Sequence, residues 1–315
     1  MIPVLIVGYK RVEEISKLFR KTLESGATRI YIALDAIDSD RGSEVTQQIK
    51  SQILLISSEF GRSHPKIWIR DRNLGSALSV LSAIEWAFQF EESLAILEDD
   101  LEISSELFIH FANQLQYIKE DPKVLMSSGS NVFRGKLKET PSGYSHYPIV
   151  WGWITTKEKW QLIREGIFKK ELIFQKSLPL YVRFFLETGR IRALSGLIDA
   201  WDVPLAAFMK AYGYKCLIPS TNLVSNIGFD KNATHTTSNV WPLGVGLEKY
   251  NSDLSDYSYC YDVEMESFIL AIKWRHFFSK IKLRVLAATN RGPIQTSQMN
   301  DNFFRVSLPI RDSDQ

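Results

Sequence analysis

Cysteine is nearly absent from this chain: 315 residues contain only Cys216 and Cys260. Two thiols make no disulfide framework, they show no zinc-type spacing, and both read as plain buried thiols. Long apolar runs are missing too. None reaches the roughly 18 residues that signal a bilayer-spanning helix, so no transmembrane segment is expected. Neither sign of charge dominates. Lys and Arg number 38 against 36 Asp and Glu, a net charge of +2, which excludes the chain as a whole from polyanion binding and so from a nucleic-acid partner. The sequence contains neither a Gly-x-Gly-x-x-Gly run after its first strand nor a Walker lysine motif, which argues against dinucleotide dehydrogenases and P-loop enzymes. Internal repeats and low-complexity tracts are also lacking. The opening Met1-Ile2-Pro3-Val4 enters a strand without a charged leader or cleavage site, so a reducing cytoplasm is the expected setting. What remains, 45% hydrophobic and 23% charged, is an ordinary globular composition, long enough for one large domain or two small ones.

What is present is a regular alternation of strand and helix. Val4–Val7 is an apolar run ended by Gly8, with Arg11 just beyond. Val12, Ile15, Leu18, Phe19 and Leu23 then share one helical face. Ile30–Leu34 is a second strand ending in Asp35, and Ile67–Ile69 a third. A helix from about Ser76 to Phe90 leads into a fourth strand, Leu94–Leu97. That order predicts a parallel α/β sheet with right-handed crossovers.

The fourth strand runs straight into Glu98, Asp99 and Asp100, and Ser104 or Ser105 reads as the cap of a following helix. Open α/β sheets take their ligands at the carboxyl ends of strands. Adjacent carboxylates there repel one another unless a cation joins them, and Mg²⁺ or Mn²⁺ held against a phosphate is the common solution. The plain alternative is an acidic, solvated turn favouring a helix N-terminus. Singly, Arg11 and Asp35 read as a helix-start arginine and a turn aspartate. Trp151-Gly152-Trp153 suits a flat wall for a sugar ring or, equally, a core cluster. Asp199 and Asp202 flank Trp201 ahead of a helix, as general-base candidates or caps. The stretch 268–288 carries five basic and no acidic residues among aromatic and aliphatic ones. It reads equally as a terminal helix on the core and as a peripheral contact with an anionic membrane.

Taken together, these segments resemble a GT-A glycosyltransferase and, more narrowly, bacterial sugar transferases related to the N-acetylglucosaminyltransferase I family. Pro3–Val7 with Lys10-Arg11 resembles that family's first strand and arginine turn. Ile30–Asp35 resembles its second strand, whose aspartate meets the uracil ring. Leu97-Glu98-Asp99-Asp100-Leu101 is similar to its acidic Asp-x-Asp-type motif, Trp151-Gly152-Trp153 to its acceptor-side segment, Trp201-Asp202 to its Trp-Asp-Asp, and Ser225–Phe229 through His235 to its loop over the donor phosphates.

The resemblance implies a GT-A (Rossmann-like), mostly parallel sheet flanked by helices over residues 1–237, with a helical or irregular C-terminal extension over 238–315. It further implies a nucleotide-diphosphate sugar donor, UDP-linked, and a carbohydrate or lipid-linked glycan acceptor. Mn²⁺ or Mg²⁺ would sit on Asp100, with Asp99 and Glu98. Arg11, Asp35, Ser225 and Asn226 would face the nucleotide, Trp151, Trp153 and Trp201 the sugars, and His235 the diphosphate or metal. Val203 stands where the family has its second aspartate, leaving Asp202 and Asp199 as the two base candidates. A nucleotidyltransferase, or a non-catalytic carbohydrate- or membrane-binding module on the same fold, are the competing readings.

Overall fold

The computed structural model describes residues 2–61, 64–133, 141–228, 246–248 and 257–267. His235 and the basic stretch 268–288 lie outside the described residues. The first half alternates as expected: β1 (Val4–Gly8), α1 (Val12–Glu24), β2 (Ile30–Leu34), α2 (Gly42–Glu59), β3 (Lys66–Ile69), α3 (Gly75–Ala87) and β4 (Ser93–Glu98). β1 and β2 are buried at every position, as strands covered on both faces must be. Alternate residues feed opposite cores: Val4 and Ile6 pack with Ile15 and Phe19 of α1, Leu5 and Val7 with Leu81 and Ile84 of α3.

The acids do not lead directly into a helix. A short strand, β5 (Leu101–Ile103), intervenes, and α4 (Leu107–Glu120) starts only afterwards. It pairs antiparallel with β10 (Val224–Asn226), Val224 opposite Ile103 and Asn226 opposite Leu101. The remaining elements are β6 (Val124–Ser128), β7 (Gly143–Ser145), β8 (Trp153–Thr156), α5 (Lys157–Ile167), α6 (Leu180–Leu194), α7 (Asp202–Tyr212), β9 (Lys215–Ile218) and β11 (Tyr259–Cys260).

The main sheet has the order β11-β7-β9-β6-β8-β4-β1-β2-β3. Neighbours run parallel except where β8 meets β4 and β6, and where β7 meets β9. The fold is therefore mixed α/β with a mostly parallel sheet flanked by helices. From β1 the chain steps outward to β2 and β3, then α3 carries it back across β1 to β4. The connections leaving β1 and β4 thus diverge, and a crevice opens at the carboxyl ends of those two strands. Among the described residues no helix is long and apolar enough to cross a membrane.

The core of α4 holds a titratable group. His110 is 1% exposed, and burial pushes its imidazole down to about 4, against a hydrogen bond with the Ser128 backbone. An unfolded imidazole takes a proton near 6.5, so between pH 6.5 and 4 the unfolded chain binds more protons and stability is lost as pH falls. Over that window the wild type is expected to lose about 3 kcal/mol more than His110→Gln. Denaturant midpoints at pH 7 and 4.5 check this; equal losses in the two proteins would refute it.

Candidate active site

β1 and β4 are in register with Val7 opposite Glu98, so the residues just past each strand meet. The Asp99 amide donates to the Val7 carbonyl (3.0 Å), extending the pairing by one residue. The Asp99 carboxylate then accepts from the Tyr9 amide (3.0 Å) and from Arg11 Nη1 (2.8 Å). The same guanidinium nitrogen lies 3.4 Å from Asp100 Oδ2. Asp100 is pinned from the other side, where its carbonyl accepts from the Ile227 amide (2.8 Å), beyond β10.

One arginine faces several acids. Burial, then Asp100, Asp99 and Asp202, push the Glu98 carboxyl well above the ordinary carboxylate range. Burial lifts Asp99 to about 6 even though Arg11 and the Tyr9 amide oppose the rise. Burial likewise raises Asp100 against the pull of Arg11. Burial draws the Arg11 pKa down, but Asp99 and Asp100 together outweigh it, so the guanidinium ends above its ordinary value. The cluster is short of positive charge, and its oxygens are the hard donors that Mg²⁺ and Mn²⁺ take. Asp99 already has both oxygens engaged, so Glu98 and Asp100 are the two of the three acids whose oxygens could hold a cation.

Across the crevice, β2 is followed at once by Asp35, 4% exposed. Its carboxylate accepts from the Leu74 amide (3.0 Å) and the Ala36 amide (3.1 Å), yet burial still raises its pKa. Residues 73–77 form the facing wall. Asn73 Nδ2 donates to the Tyr9 hydroxyl (3.0 Å), and its Oδ1 accepts from the Gly75 amide (2.8 Å). Gly75 has φ +77°, a conformation side-chain-bearing residues avoid, and it opens α3 toward Asp199. Both Asp199 oxygens accept from the first turn of that helix, from Ser76 N (2.6 Å) and Ala77 N (2.8 Å). Arg11, Asp35, Glu98, Asp99, Asp100 and Asp199 line one cavity of about 380 Å³, together with Tyr9, Asn73 and Ser76. Tyr9 and Asn73 were not anticipated; their only signal in the sequence is position, one residue past β1 and two ahead of α3.

Asp202 opens α7 and is partly exposed. It does not line that cavity, although its charge reaches Glu98. Ser225 and Asn226 lie in β10, beside β5, and Asn226 Oδ1 accepts from the Gly228 amide (2.8 Å). The three tryptophans separate. Trp153 is fully buried and Trp201 is 4% exposed, and their rings stack at 5.7 Å. Both belong to the hydrophobic core, which for Trp153 is the core-cluster alternative to the flat wall. Trp151 alone is partly exposed.

Gly228 bears on Asp100 directly. A Cβ there would sit 2.9 Å from the Asp100 Cβ and closer still to Oδ2. Gly228→Ala is expected to displace that carboxylate and so to weaken roughly tenfold the affinity for a divalent cation that Asp100 would hold, while unfolding stability shifts by less than about 1 kcal/mol. Metal titration alongside a melting curve tests this, and unchanged affinity would refute it.

No protein-family model and no curated protein matches the chain. Solved structures with a distant likeness include the glycosyltransferase GlyE of Streptococcus pneumoniae, at 15% identity and a TM-score of 0.36, covering 89% of this chain and 64% of that one. A UDP-glucose pyrophosphorylase complexed with UDP-glucose aligns at 8% identity and a TM-score of 0.34, over 70% of this chain and 90% of that one. HddC from Yersinia pseudotuberculosis aligns at 13% identity and a TM-score of 0.32, over 50% and 78%. Likeness at this level leaves the functional assignment to the site itself.

Proposed function

We propose that this chain is a metal-dependent glycosyltransferase that moves a sugar from a nucleotide-diphosphate donor, UDP-linked, to an acceptor hydroxyl with inversion, in the synthesis of a surface polysaccharide or glycoconjugate. The observation that carries the reading is the convergence of Arg11, Asp35, Glu98, Asp99 and Asp100 on one cavity at the sheet's switch point.

Glu98 and Asp100 would hold the Mg²⁺ or Mn²⁺ ion. When bound, the ion supplies positive charge to the leaving diphosphate. Asp99 acts on Arg11 instead: the 2.8 Å pair fixes the guanidinium at the cavity wall, where it offers further N–H donors to a phosphate. Asp35 faces the base and ribose, and Ser225 and Asn226 border the phosphate side through the β5–β10 ribbon. Asp199 is committed to capping α3 through both oxygens, which favours Asp202 as the base that takes the acceptor's proton. Attack from the face opposite the diphosphate inverts the anomeric centre. A carbohydrate or lipid-linked glycan acceptor would approach past Trp151.

A thermal-shift screen of UDP, GDP, CMP and their sugars, with Mn²⁺ and with a chelator, tests this reading. One nucleotide-diphosphate class should raise the melting temperature only with metal; at 100 times its dissociation constant it adds roughly 2.7 kcal/mol. A response to nucleoside triphosphate and sugar phosphate, with pyrophosphate released, would replace it with nucleotidyl transfer. Silence toward every nucleotide overturns the donor site.

A further inference from the structure

A second cluster of ligating side chains lies at the far edge of the sheet, where β11 pairs in parallel with β7. Cys260 stands opposite Tyr144 in that register. Just past that pairing the chain turns at Tyr261 into a short helix that begins at Asp262, and there the Asp262 carboxylate meets His146, the residue that follows β7. One donor atom each from His146, Cys260 and Asp262 lies within 4.8 Å of the other two. Cys260 is partly exposed, unlike the fully buried Cys216, which corrects its reading as a buried thiol.

The arrangement is held from behind. Asp262 Oδ1 accepts from the His146 amide (2.8 Å) and the Ser145 hydroxyl (3.1 Å), which leaves Oδ2 facing His146 Nδ1 at 2.7 Å. Tyr261, between the two ligands, is fully buried. Its ring stacks on Phe133 at 4.6 Å and its hydroxyl donates to the Pro141 carbonyl (2.6 Å). The backbone that carries Cys260 and Asp262 is therefore anchored independently of them.

We propose that His146, Cys260 and Asp262 form a zinc site that clamps residues 257–267 to the β7 edge. A thiolate, an imidazole and a carboxylate are the donor set zinc takes, and three protein ligands leave its fourth position to water. Harder ions such as Mg²⁺ and Mn²⁺ gain nothing from the sulfur, which separates this site from the oxygen cluster at β4. Lys210 Nζ now lies 2.5 Å from Asp262 Oδ2 and 2.8 Å from Glu266 Oε1. Zinc binding shifts it fully to Glu266, so the lysine keeps a carboxylate partner. The clamp joins segments 116 residues apart, where closing a long loop makes a cross-link most effective. It stands whether or not the chain transfers sugars.

The test is titration of the chelator-stripped full-length chain with Co²⁺, a spectroscopic stand-in for zinc. One Co²⁺ per wild-type chain should give a thiolate-to-metal charge-transfer band, which any ion taken by the oxygen cluster at β4 cannot produce. Cys260→Ser should lose that band, while Cys216→Ser and Asp100→Asn should retain it. Zinc should also protect Cys260 of the wild type from iodoacetamide, a readout that needs no variant. A missing band at stoichiometric Co²⁺, a band that survives in Cys260→Ser, or alkylation unaffected by zinc each overturns the site.

Discussion

Asp100→Asn is expected to lower kcat by roughly 10²–10³-fold, to remove the metal-dependent nucleotide shift, and to leave the metal-free fold at least as stable as the wild type. The combination follows from the charges. In the proposed mechanism Asp100 is one of the two acids that would hold the cation, so its loss takes away charge that the leaving diphosphate would need. In the metal-free protein the same carboxylate sits beside Glu98, which it helps push well above the ordinary range. Neutralising it relieves that repulsion, worth about 1 kcal/mol. The contact to Arg11 given up is the longer of the arginine's two, 3.4 Å against 2.8 Å. Asp99→Asn should behave differently, because it breaks the shorter pair and frees Arg11 to move. Activity assays and melting curves in chelator read both quantities. A catalytic loss in Asp100→Asn matched by a fall in stability would make the residue structural and refute the metal-ligand role.

The parts of the fold that were legible share one property: their signal is local. β1, β2 and β4 are short apolar runs closed by a glycine or an acid, and a strand covered on both faces needs no partner to announce it. The acids at 98–100 were legible for the same reason, since a buried strand that ends in carboxylates fixes where they emerge. What depended on distant pairing was not. Nothing near Leu101 shows that it joins β10 instead of entering a helix, because Asn226 supplies the pairing. The choice between Asp199 and Asp202 turns on which one meets the N-terminus of α3, more than a hundred residues earlier. Cys260 read as inert because His146, the residue that gives it company, is absent from its neighbourhood in sequence.

The tryptophans are the sharpest such case, and they carry the largest expected stability effect. Trp153 is fully buried in β8, opposite Ile96 of β4 and Ser128 of β6. Trp153→Ala should cost about 3–5 kcal/mol, a large share of a total near 5–15 kcal/mol. Trp153→Phe should cost only about 1 kcal/mol: the indole N–H has no acceptor among the described residues, so the smaller ring gives up no hydrogen bond. Trp151→Ala should cost less stability than Trp153→Ala and should also raise the acceptor KM, since Trp151 packs on both cores but stays partly exposed. Reversed results would return Trp153 to the sugar site. The two positions are coupled to catalysis by different routes. Trp153 stacks on Trp201, which immediately precedes Asp202 at the start of α7. A cavity at 153 therefore loosens the turn that carries the proposed base, and what activity survives in Trp153→Ala should be reduced in kcat, with KM little changed.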